Sequence, residues 1–222
     1  MTPRWVVIAK VVVWAACLAP FAWLAVRANG LAGSLGANPV EEILNTCGKT
    51  GLNLLMLTLC VTPIRRSTGI NRLISFRRLL GLFAFFYLVL HFTTYALLDL
   101  GLQWGILLED IAERPYITVG FTGLVLLVPL VATSTQAMQR RLGRRWVKLH
   151  RLVYVIAVLG VVHYWWQVKS DTDIAEPLLY SFLLAVLFGA RLLHHRSVHA
   201  KATVPPAYQR VEPPQAREKS GH

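Results

Sequence analysis

Long, nearly uncharged apolar blocks recur along the whole length of this chain, and nothing else in the sequence restricts its fold as much. A bilayer core requires about 20 consecutive, mostly apolar residues per helix, and blocks of that kind leave no stretch from which a soluble core could be built. Apolar residues make up 55% of the 222, and charged residues 15%, against roughly 25% charged in a soluble domain. With no water inside a bilayer, backbone polar groups must be satisfied within the segment, which favours helices. The expected fold class is therefore an all-α integral membrane protein.

Six spans are expected: Trp5 to Val26, a second ending near Ile64, Leu79 to Leu98, Tyr116 to Thr133, Val147 to Trp166, and Pro177 to Leu193. The clean apolar part of the second, Gly51 to Ile64, is short, and a start near Val40 makes it long enough. Pro20 predicts a kink in the first span. The first block has no convincing cleavage site and reads as a retained helix. Residues 1–195 form the transmembrane domain in this reading. Residues 196–222, basic and containing four prolines, read as a disordered tail.

Loop charge supports the count. Arg65, Arg66, Arg72, Arg77 and Arg78 separate spans two and three, and Arg140, Arg141, Arg144, Arg145 and Lys148 separate spans four and five. The intervening connections carry Asp99, Glu109, Asp110 and Glu113, and then Asp171, Asp173 and Glu176. Positive residues mark the cytoplasmic side, which puts both termini in the cytoplasm. The same distribution accounts for the formal charge of +12 and sets nucleic-acid binding aside. Cys17, Cys47 and Cys60 lack CxxC spacing and are expected to pack as small apolar residues. The aromatic run Tyr164-Trp165-Trp166 reads as part of an interfacial belt.

Ionisable residues inside a bilayer are costly and mark function by default. Of seven histidines, His194, His195, His199 and His222 lie at or beyond the end of the last span, whereas His91, His150 and His163 fall within spans three and five. At about 1.5 Å per residue, His91 lies roughly 18 Å and His163 roughly 24 Å from the cytoplasmic ends of their helices. Two imidazoles at similar height on different helices suit a six-coordinate haem, whose potential would follow from ligand identity, burial and hydrogen bonding. They equally suit an interhelical hydrogen-bonded pair without metal, and the residues alone leave both open. Gly81, Ala84 and Gly160 lie near the two histidines along their helices, as clearance for a flat macrocycle would require, although small residues also line ordinary membrane helix contacts.

Several motifs carry a resemblance: Thr62-Pro63-Ile64-Arg65-Arg66, Arg77-Arg78-Leu79-Leu80-Gly81-Leu82 leading to His91, Arg114-Pro115-Tyr116-Ile117-Thr118 with Gly120, Thr133-Ser134, Arg141-Leu142-Gly143 through Trp146 to Leu149-His150-Arg151-Leu152, and His163-Tyr164 with Lys169. In order and spacing, from about Asn38 to Tyr180, they resemble the MsrQ (YedZ) family of haem-binding membrane subunits. The resemblance implies a ferric-reductase-like six-helix bundle in the bacterial inner membrane, carrying b-type haem with FMN associated. It implies electrons drawn from the quinone pool or a cytosolic flavin reductase. These would pass to a periplasmic molybdenum-containing subunit that reduces methionine sulfoxide, a reversible lesion.

Relatives with the broader fold commonly stack two haems, using two histidines on span three and two on span five. Here span three offers only His91, with Arg77 and Arg78 where a second ligand would sit. One firm haem is therefore expected at His91 and His163, with His150 a weak second ligand or facing flavin or quinone. Arg77, Arg78 and Arg144 are candidates for the FMN phosphate, since arginine suits bidentate phosphate binding. The chain shows no molybdopterin-like site and is expected to be an electron-transfer subunit, not the catalytic one. The alternatives are a ferric or quinone reductase with a separate donor, and a histidine-dependent transporter without haem.

Overall fold

The computed structural model describes residues 4–168 and 174–202. It is helical throughout: α1 (Arg4–Ala28), α2 (Pro39–Thr68), α3 (Ile74–Thr94), α4 (Trp104–Glu113), α5 (Pro115–Ala132), α6 (Gln136–Leu142), α7 (Arg144–Leu149), α8 (Leu152–Gln167) and α9 (Ala175–Ala202). Six segments are long and apolar enough to cross a bilayer: 4–28, 39–68, 71–99, 115–132, 144–167 and 175–193. The six expected spans are all present.

Their boundaries follow local chemistry. Pro39 occupies the first turn of α2, where its missing N–H costs nothing, and the Asn38 side chain caps the helix by accepting from Glu41 N–H. That start supplies the length that the short apolar stretch of span two lacked. Gly69, at φ 71°, ends α2 in the left-handed conformation and donates to the Arg65 carbonyl, a conformation glycine adopts without a Cβ penalty. Helix α3 begins at Ile74, five residues before the apolar run expected from Leu79, so Arg77 and Arg78 sit in its first turns and not in a loop. Beyond Thr94 the spiral widens into a π turn over Tyr95–Asp99. Helix α9 continues to Ala202, past the expected boundary at 195. Lys169, Asp171, Asp173 and the proline-containing tail beyond 202 lie outside the described residues.

Two helices went unanticipated: the short α6, in the basic connection between spans four and five, and α4. The third connection, expected as an acidic loop, holds α4, whose Trp104, Leu107, Leu108 and Ile111 recur at helical spacing. Asp110 is buried on its inner face, where it accepts from the Tyr95 hydroxyl and pairs with Arg114 at 2.9 Å.

The core is built from two helix pairs, α2 against α3 and α5 against α8, with α1 and α9 outside them. Helix α1 leaves Val7, Ile8, Val11, Val12 and Trp14 exposed, as a lipid-facing helix should. It is tied inward at its proline. The fully buried Tyr87 hydroxyl donates to the Cys17 carbonyl at 2.7 Å and accepts from Phe21 N–H at 3.0 Å. An unbroken helix would pair those two groups directly. Insertion of a side chain into the ladder is one of the recognised causes of a kink, and here it also joins α1 to α3. Cys17 and Cys47 are buried and Cys60 half-buried, all unpaired.

Candidate functional site

His91 on α3 and His163 on α8 come together in the interior, with ring centres 6.2 Å apart and planes at 81°. Each is oriented by a helix across from it. His91 Nδ1 is 2.9 Å from the Leu44 carbonyl of α2, and His163 Nδ1 is 2.7 Å from the Tyr116 carbonyl of α5. Since a carbonyl only accepts, both Nδ1 atoms carry the proton. Both Nε2 atoms therefore keep their lone pairs, the arrangement seen when a ring is held as a metal ligand.

Helical carbonyls are normally screened by side chains one turn further on. The residue four positions after Leu44 is Gly48, and the one four positions after Tyr116 is Gly120. A Cβ at Gly48 would lie 3.0 Å from His91 Nδ1, and one at Gly120 would lie 2.8 Å from both Nδ1 and Cε1 of His163. Glycine is required at both places by close approach. The two arrangements match in register, since each histidine follows its carbonyl partner by 47 residues and its glycine by 43 (48 to 91, 120 to 163). The α2–α3 and α5–α8 pairs thus repeat one histidine-holding device 72 residues apart (91 to 163).

The small residues expected to make room differ in their surroundings. A Cβ at Gly81 would meet nothing within 4 Å, and Gly160 faces Leu52. Ala84 is fully buried, and its carbonyl lies near Gly51 on α2. Gly48 was missed because it lies on a different helix from the histidine it serves. The shared spacing of 43 was the signal available.

His150 stands apart. It caps α7 at the junction with α8, stacks on Trp146 with ring centres 3.9 Å apart, and has Nδ1 3.2 Å from the Trp146 carbonyl. Trp146 in turn donates to the Thr133 carbonyl at 2.9 Å. Of the arginine candidates, Arg78 and Arg144 are exposed, whereas Arg77 is half-buried. The side chains of His194, His195 and His199, and all of His222, lie outside the described residues.

A metal taking one nitrogen from each ring at about 2 Å would hold the ring centres about 6 Å apart. The observed 6.2 Å leaves room for a metal held by one nitrogen of each ring. No group of three or more His, Cys, Asp or Glu suited to a metal occurs among the described residues.

Residues 47–161 match the family described as ferric reductase like transmembrane component. A protein-methionine-sulfoxide reductase heme-binding subunit MsrQ of Ralstonia nicotianae is 51% identical over 184 residues, 82% of this chain and 84% of that protein. One of the same description from Xanthomonas campestris pv. campestris is 50% identical over 210 residues, 90% of this chain and 94% of that protein. The chain belongs to the MsrQ family. No solved structure matches it significantly. The relatives' shared length spans both helix pairs and both histidines, so the paired histidine-holding device lies within the part of the chain that MsrQ relatives share.

Proposed function

We propose that this chain is the haem-binding membrane subunit of a methionine-sulfoxide reductase system, with haem b held between His91 and His163. The observation that carries the reading is the pair of imidazoles 6.2 Å apart, each with Nδ1 committed to a carbonyl and Nε2 left basic. The relatives' description as heme-binding subunits supports the choice of group. Bound there, haem would supply one-electron transfer at a buried centre.

The protein's own part is positional. Leu44 and Tyr116 fix the tautomer and aim of the two rings, and Gly48 and Gly120 let the rings reach those carbonyls. The Tyr116 ring lies alongside His163, with centres 6.5 Å apart and planes at 28°. The apolar helix pairs exclude water, which sustains a low dielectric around the group and so helps set its potential.

Family resemblance and loop charge support the orientation, the electron route and the flavin. Both termini lie in the cytoplasm of a bacterium whose inner membrane holds the bundle. Electrons arrive from the quinone pool or a cytosolic flavin reductase and leave to a periplasmic molybdenum-containing catalytic subunit. FMN belongs to the same reading, with Arg77, Arg78 and Arg144 as its candidate phosphate contacts. His150 is assigned no firm haem, since α3 offers no second histidine to pair with it and its ring is stacked on Trp146.

Absorption spectra of the detergent-purified protein, oxidised and dithionite-reduced, with haem quantified per chain, test the central assignment. A Soret band with sharp reduced α and β bands at one haem per chain is expected. A colourless protein from haem-replete cells refutes it.

A further inference from the structure

At the opposite end of the bundle from α4, three arginines from three helices converge: Arg65 near the end of α2, Arg77 in α3 and Arg191 in α9. Arg77 lies within Coulombic range of both others and of Tyr154, and also of His150. Most basic residues at this end, including Arg66, Arg72, Arg78, Arg140 and Arg145, are exposed, as topological charges are. These three are half-buried, and the Nε of each is sealed from solvent without a hydrogen-bond partner.

Their remaining contacts hold them without neutralising them. Arg191 uses its Nη groups on the Leu59 carbonyl at 2.6 Å and the Leu187 carbonyl at 3.1 Å, and its guanidinium stands 5.0 Å from the Tyr154 ring centre. Among the described residues the Arg65 side chain reaches only the Asn71 side chain, at 3.4 Å. Arg77 donates to no described residue, and with only its Nε sealed its two Nη groups form the reachable edge. The ion pairs among described residues are Arg27–Glu42, Lys49–Glu176 and Arg114–Asp110, so no described carboxylate serves this cluster.

Guanidinium groups do not deprotonate in proteins, so a half-buried cluster cannot relieve its repulsion by losing a proton. Burial of unpaired charge is costly, and a bound counter-ion would offset that cost. We propose that Arg65, Arg77 and Arg191 form a site for a phosphate group, entered between α2, α3 and α9 beside His150. Arginine's planar fork matches phosphate oxygens. Two sources share that chemistry: the headgroup of an anionic phospholipid, for which basic pockets between transmembrane helices are suited, and a soluble phosphate monoester such as a flavin nucleotide. The site extends the flavin part of the functional reading without depending on it, and it is independent of haem at His91 and His163.

Native mass spectrometry of the full-length haem-loaded protein in neutral detergent tests this, with phosphatidylglycerol, phosphatidylcholine and FMN as separate probes. The wild type is expected to retain one phosphatidylglycerol or one FMN in preference to phosphatidylcholine. Arg77→Gln and Arg65→Gln should each weaken that retention at least tenfold, Arg77→Lys less, and the exposed pair Arg140→Gln/Arg145→Gln not at all. Preference for the lipid or for FMN tells which source occupies the site. No preference for either over phosphatidylcholine, wild-type retention in Arg77→Gln, or equal loss in the exposed pair overturns the proposal. The haem spectrum of each variant reports folding separately, because its ligands lie at the other end of α3 and α8.

Discussion

Gly120→Ala isolates the histidine-holding device more sharply than removing a histidine does. The added methyl carbon would sit 2.8 Å from Nδ1 and Cε1 of His163 and 3.1 Å from Cγ. Returning to ordinary carbon contact, no closer than about 3.4 Å, moves the ring by about 0.6 Å. The ring cannot give way freely, because its Nδ1 is anchored to the Tyr116 carbonyl at 2.7 Å. The same shift stretches that bond to about 3.3 Å, past the ordinary range. Overpacking of this kind costs about 1–3 kcal/mol, and at 1.4 kcal/mol per factor of ten haem affinity should fall roughly 5- to 140-fold. The assay is haem transfer from the purified protein to an apo-acceptor, followed at the reduced α band, with thermal unfolding in parallel. Gly48→Ala, with its closest contact at 3.0 Å, should show a smaller loss. Gly81→Ala, which meets nothing within 4 Å, should bind haem normally and gain roughly 0.5–1 kcal/mol from helix propensity. Gly120→Ala protein with wild-type affinity and unchanged unfolding would refute the claim that this glycine positions His163.

Three further outcomes are expected. His91→Ala or His163→Ala abolishes the main haem signal in reduced-minus-oxidised spectra, while His150→Ala only perturbs it; full haem retention in His91→Ala protein overturns the ligand assignment. Tyr87→Phe leaves the Cys17 carbonyl and Phe21 N–H without the hydroxyl that joins them, and should destabilise the bundle by about 1–3 kcal/mol, read as a lower unfolding midpoint in detergent; an unchanged midpoint would show the helix closing its own ladder. In intact cells a membrane-impermeant maleimide should label Glu109→Cys but not Arg140→Cys, and the reverse pattern would invert the proposed orientation.

The helical class, the six spans and the pairing of His91 with His163 were legible in the sequence. Bilayer thickness translates apolar length directly into spans, and rise per residue translates position into height. The cap that lengthens α2, Asn38 with Pro39 in the first turn, went unread, although a start near Val40 was expected. Helix α4 was written in the spacing of Trp104, Leu107, Leu108 and Ile111, but its acidic residues masked the pattern.

Other features were decided only by packing between helices. Height along an axis says nothing of rotation about it, so the sequence could pair two histidines but not say which carbonyls orient them. Gly48 and Gly120 act across helix contacts on residues 43 positions away, and within their own helices they look like any other glycine. Arg65 and Arg191 are likewise separated from Arg77 along the chain and come within its electrostatic range only in the folded bundle. A charge is a loop signal when it faces water and a candidate binding site when neighbouring helices seal one edge of it, and only the tertiary structure determines which.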